Sequence, residues 1–163
     1  MLILGNKDTP KIEINLGHLK IKSTDSVELL GITIDSNLSF SDHIKSLCAK
    51  TKFRVYSLNR IQGYLSFHQR RLLFNSYIMS MFNYASIVWM FCNKTVYAEI
   101  TKVHKRALRS VLCDFSNSYE VMLENSNSKS VHKIHLMFLL CEVFKSVNCL
   151  NPDFMQLIFK VSK

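Results

Sequence analysis

The stretch Val27 to Asp35, VELLGITID, divides the chain into two unlike halves. Its β-branched and aliphatic residues suit a pleated, half-buried surface and predict a strand running through all nine positions. Gly31 inside the run weakens a strand unless a close backbone approach requires it. Before this stretch, short alternating runs are separated by turn residues. After it, nearly all apolar spacing is helical. The expected class is therefore α+β, a small N-terminal antiparallel sheet followed by a mostly helical bundle. The expected divisions are 1–35, 36–115 and 116–163.

On the N-terminal side, Met1 to Leu4 is strand-like, and 5–10 is a turn by composition. Lys11 to Ile14 and His18 to Lys22 alternate about Asn15-Leu16-Gly17, which predicts a β-hairpin. A sheet this small is marginal unless something packs on it.

On the C-terminal side, Ser39-Phe40-Ser41-Asp42 fits a capping box. Ile44, Leu47, Cys48, Thr51, Val55 and Leu58 follow at three- and four-residue spacing, one buried helix face, and Gly63 is placed to end it. Ser66 to Gln69 is a second capping box. Leu72 to Asn93 then runs 22 residues without a formal charge, long enough to span a bilayer. Its scattered Asn and Ser favour two core helices breaking near Asn83 over a membrane span. Trp89 reads as a core anchor. Asn93 or Thr95 caps a helix over 96–113, with Val96, Ile100, Val103, Ala107 and Val111 as its apolar stripe. A helix capped by Ser130 extends to about Val147, its stripe formed by Ile134, Phe138, Cys141 and Phe144 or Lys145. A last short helix follows Asn151-Pro152.

Charge is segregated. Of the net +9, residues 50–110 hold eleven Lys/Arg against one acid, Glu99, while the remainder is nearly balanced. Such concentration is the electrostatic footprint of a polyanion-binding surface. Lys102, Lys105, Arg106 and Arg109 fall within an arc of roughly 100° on their helix, opposite the apolar stripe. Four cations on one face can follow a phosphate backbone and release its counterions. Lys50, Lys52, Arg54, Arg70 and Arg71 extend the basic surface.

No nucleophile–base pair, phosphate-cradling glycine loop or close carboxylate pair stands out. His132 and His135 stand at i, i+3 but match no common zinc spacing, so a structural role fits them better. Asp35 and Asp42 read as turn and cap residues. Five cysteines without C-x-x-C spacing predict reduced, mostly buried thiols of an intracellular protein.

The order of motifs Leu29-Leu30-Gly31-Ile32, Ile34-Asp35, Leu38-Ser39-Phe40, His43-Ile44, Arg70-Arg71-Leu72-Leu73, Phe82-Asn83-Tyr84 with Trp89, Lys105 to Arg109 and Asn151-Pro152 resembles the end of the reverse transcriptase domain of jockey-like non-LTR retrotransposons. The resemblance implies that 1–35 corresponds to the last palm strands. It places Leu30 and Gly31 at the primer grip, and the following helices in a thumb that holds template–primer nucleic acid. It further implies two Mg2+ ions in the whole polymerase, held by palm carboxylates that include an Asp-Asp pair. No Asp-Asp pair occurs in this sequence. The chain is thus expected to be a C-terminal piece that needs the remaining palm and fingers as partners, carries no cofactor and does not polymerise alone. The alternative is a non-enzymatic basic helical protein that binds RNA or DNA, or one associated with a membrane.

Overall fold

A computed structural model describes residues 2–5 and 12–152. Four short strands come first. β1 (Glu13–Leu16) and β2 (Leu19–Lys22) pair antiparallel, with Leu16 opposite Leu19. Their two-residue turn is Gly17-His18 rather than Asn15 to Gly17. Gly17 stands at φ +59, the first-position requirement of a II′ hairpin.

The predicted continuous strand from Val27 to Asp35 is instead a second hairpin. β3 (Ser26–Leu29) and β4 (Ile32–Asp35) pair with Leu29 opposite Ile32. Leu30 (φ 50) and Gly31 (φ 78) form the turn between them. Positive φ at both central residues is the I′ arrangement, whose twist matches that of the strands. A Cβ added to Gly31 would meet nothing within 4 Å, so its backbone angle, not crowding, accounts for the glycine. The two hairpins form separate sheets, and an isolated parallel bridge joins Leu2 to Thr24.

Asp35 then organises the passage into helix. Its carboxylate accepts from the amides of Asn37 (3.1 Å), Ser39 (3.0 Å) and Phe40 (2.7 Å), and from the Ser39 hydroxyl (3.1 Å). The expected capping box is absent. α1 (Ser41–Ile61) begins after Phe40 in the left-handed region with no side-chain cap, and Asp42 pairs with Lys45 instead. Its predicted apolar face is buried throughout. Gly63 is not a left-handed cap but lies within a 3₁₀ turn, Gln62–Tyr64.

α2 (Phe67–Leu73) carries the predicted Ser66–Gln69 capping box. It passes into a π-helical segment, Phe74–Met79, and then α3 (Ser80–Asn83). Tyr84 and Ala85 (φ 46) break the run beside the predicted Asn83, and α4 (Ser86–Trp89) follows. Among the described residues no helix is long and apolar enough to cross a membrane. α5 (Lys94–Leu112) is capped by Asn93, whose side chain accepts from the Thr95 amide. α6 (Tyr119–Asn125) and α7 (Val131–Val147) complete the described helices, with Ser130 capping α7. The helix expected after Pro152 lies outside the described residues.

α1 against α5 is the principal helix pair. The i, i+3, i+4 stripes of both meet around Ile44, Val55, Leu58, Ile100, Val103 and Ala107. Phe74, Ile78, Phe82 and fully buried Trp89 fill the space beside them, each burial contributing roughly 1.5–3 kcal/mol. Ile32 of β4 and Val131 of α7 belong to this same cluster, so the core crosses the predicted divisions at 35 and 115. The α7 stripe differs from expectation. Val131 and His135 are buried, whereas Phe138, Cys141 and Phe144 are exposed. α7 is apolar on most sides, and spacing alone does not choose a face in such a helix. The cysteines are likewise not mostly buried. Cys48 is buried and Cys92 half-buried, but Cys113, Cys141 and Cys149 are exposed, and all are free thiols.

Candidate nucleic-acid interface

A cleft of about 440 Å3 lies between the β3–β4 hairpin, α1 and α3. Glu28, Gly31 and Thr33 line the hairpin side, Lys50 and Arg54 the α1 side, and Ser80 and Tyr84 the far wall, so two cations face one carboxylate. Lys50 and Arg54 are four residues apart, which stacks them on one helix face. Arg54 is held in place. Its guanidinium carbon lies 4.4 Å from the Tyr77 ring centroid, and Nη1 donates to the Tyr77 carbonyl at 2.6 Å. Lys50 is exposed.

Two polar contacts set the hairpin's position. The Tyr84 hydroxyl donates to the Leu30 carbonyl at 2.8 Å. The Thr33 amide donates to His43 Nδ1 at 3.4 Å, so the His43 proton sits on Nε2. Burial, and then the Lys50 charge, hold the His43 pKa below the ordinary histidine value. His43 therefore remains neutral at pH 7 and serves as an acceptor for the edge strand. The Leu30 side chain is 81% exposed at the hairpin tip.

The remaining predicted cations separate into two groups. Lys52 of α1 meets Lys102 and Arg106 of α5 along a shallow groove of about 200 Å3. Glu99 lines the same groove and pairs with Lys102 at 2.6 Å. Arg106 makes no ion pair among the described residues. The second group turns toward the protein. Arg70 Nη1 donates to the Gln62 carbonyl at 3.3 Å and contacts the Cys113 thiol. Arg71 Nη2 donates to the Asn127 carbonyl at 3.4 Å. Arg109 is half-buried with its Nε shielded from solvent, and Lys105 is half-buried. The four cations of α5 thus do not share one open face: Lys102 and Arg106 stay exposed, and Lys105 and Arg109 are partly covered.

Tyr84 and His43 are cleft residues that charge counting overlooked, and Tyr77 holds the cleft's Arg54. The His43-Ile44 and Phe82-Asn83-Tyr84 motifs were the available signals. Elsewhere, His104 and His135 are fully buried. His104 Nδ1 lies 2.8 Å from the Tyr119 hydroxyl, and His135 Nδ1 lies 2.9 Å from the Tyr97 hydroxyl. Burial pushes both imidazoles down to about 4. His135 also packs edge-on to Trp89 with centroids 5.1 Å apart, which makes it a core residue. Exposed His132 packs edge-on against the Tyr97 ring instead. No group of three His, Cys, Asp or Glu able to hold a metal ion occurs among the described residues. No family model, curated protein or solved structure matches this chain.

Proposed function

We propose that the chain holds template–primer nucleic acid by its phosphate backbone, as the palm-end and thumb-like portion of an RNA-directed DNA polymerase of non-LTR retrotransposon type. The observation that carries the reading is the shared cleft of Gly31, Lys50 and Arg54. It combines a hairpin turn, free of side-chain bulk at Gly31, with two cations stacked one helical turn apart. The groove of Lys52, Lys102 and Arg106 supplies a second cationic track on the other side of α1. With no Asp-Asp pair in the sequence, the chain binds without polymerising, and its partners are the metal-bearing palm and the fingers.

The test is binding of a fluorescent primer–template duplex across a salt series. The expected log–log slope is steep, and the Lys50→Gln/Arg54→Gln double variant lowers it by about two. A slope near zero, or a double variant that binds like the parent, sinks the proposal. Restored polymerisation on adding a separately expressed palm and fingers tests the polymerase part.

A further inference from the structure

A second cavity, about 380 Å3, opens between the π-helical segment, α5 and the loop joining α6 to α7. Arg71 and Lys129 stand on its wall, together with Asn75, Asn83, Ser128 and His104. No Asp or Glu lines it. Neither cation has a carboxylate partner among the described residues. Arg71 makes only the 3.4 Å bond to the Asn127 carbonyl, and Lys129 Nζ lies 3.1 Å from the Met137 sulfur, a weak acceptor.

His104 in this wall is completely buried. Its Nδ1 lies 2.8 Å from the Tyr119 hydroxyl. His104 Nε2 and the Asn83 side-chain oxygen have no hydrogen-bond partner among the described residues. Buried polar groups are normally satisfied, so two unpartnered polar atoms beside a polar cavity point to a missing occupant. The positive N-terminal end of α7 begins two residues after Lys129.

We propose that this cavity binds a phosphate-class oxyanion, with Arg71 and Lys129 neutralising its charge and His104 in the wall reporting its occupancy. The volume also admits the small group that bears the phosphate. The residues differ from those of the basic cleft, and the site does not rest on the template–primer reading.

The experiment follows the His104 ring signals of labelled protein by NMR while inorganic phosphate is added, with sodium chloride at matched ionic strength as the control. The expected result is a saturable shift with a Kd of about 1 mM, weakened about tenfold in Arg71→Gln/Lys129→Gln. Both substituted residues line the mouth, so this variant keeps the buried core. Lys50→Gln/Arg54→Gln should leave the shift unchanged, which separates this site from the cleft. A primer–template oligonucleotide that displaces phosphate assigns the occupant to a nucleic-acid backbone. An oligonucleotide that does not displace it assigns the occupant to a small phosphorylated molecule; either supports the site. An unshifted ring, a shift matched by chloride, or an unweakened double variant overturns it and leaves a bound water as the occupant of the orphaned groups.

Discussion

The hydroxyl of Tyr84 reaches the carbonyl of Leu30, 54 residues earlier in the chain, at 2.8 Å. This one bond ties the tip of the β3–β4 hairpin to the break between α3 and α4, and so fixes the width of the basic cleft. Tyr84→Phe keeps the ring and removes the donor. It should cost about 1 kcal/mol in urea unfolding and speed amide exchange in β3 and β4 relative to α5. Unchanged exchange in the hairpin would show that the bond does not hold it.

The turn itself stores strain. Leu30 at φ 50 is a branched residue in a region that costs roughly 1–2 kcal/mol, and its side chain is in solvent. Leu30→Asn should raise the urea midpoint, because Asn tolerates this region. Gly31→Ala should lower stability by about 1 kcal/mol although the added methyl meets no atom. A neutral Gly31→Ala would show that the turn adapts.

Asp35 holds three successive approaches to α1 with one carboxylate. Asp35→Ala should cost roughly 2 kcal/mol, since several amides lose their acceptor together. Burial acts to raise its pKa, but the bonds from Ser39, Phe40 and Asn37 outweigh it, and the folded value lies below the ordinary 3.8. A lowered carboxylate pKa stabilises the fold above the unfolded pKa. That contribution is lost as pH falls through the folded value. Acid unfolding of Asp35→Asn should therefore be less steep below pH 3.8 than that of the parent.

His104 and His135 impose a different window. Each titrates near 6.5 when unfolded and at about 4 in the fold, with burial as the main cause. Between these values the unfolded chain binds more protons, so stability is full above 6.5 and falls as pH drops toward 4. The loss should be on the order of 3 kcal/mol for each histidine, read from urea midpoints at a series of pH values. His135→Gln should flatten part of this dependence. A flat profile between the two pH values would contradict the burial of both rings.

The nine predicted phosphate contacts separate by position. Charge removal at Lys102 and Arg106 should weaken duplex binding and reduce its salt slope by about two, with little change in stability. Arg70→Gln and Arg109→Gln should act mainly on stability, because their guanidinium groups are partly enclosed by protein. Equal effects on binding from both pairs would remove this distinction.

Residue order alone settled most of the helices. The apolar spacing of α1 and α5 leaves one choice of buried face, and Ser66, Asn93 and Ser130 mark helix starts because their side chains satisfy orphan amides nearby in sequence. The break beside Asn83 followed from polar residues within an otherwise apolar run. Packing decided the rest. Val27 to Asp35 carries strand formers throughout, and a leucine at the first turn position hides the hairpin; pairing Leu29 with Ile32 forces Leu30 and Gly31 into positive φ. The fate of each cation also depended on what folds against it. Arg54 meets Tyr77, 23 residues away, and Arg71 meets Asn127, 56 residues away, while Arg106 stays open. Local spacing records which way a side chain leaves its helix. Only the assembled fold determines whether solvent or another segment waits there.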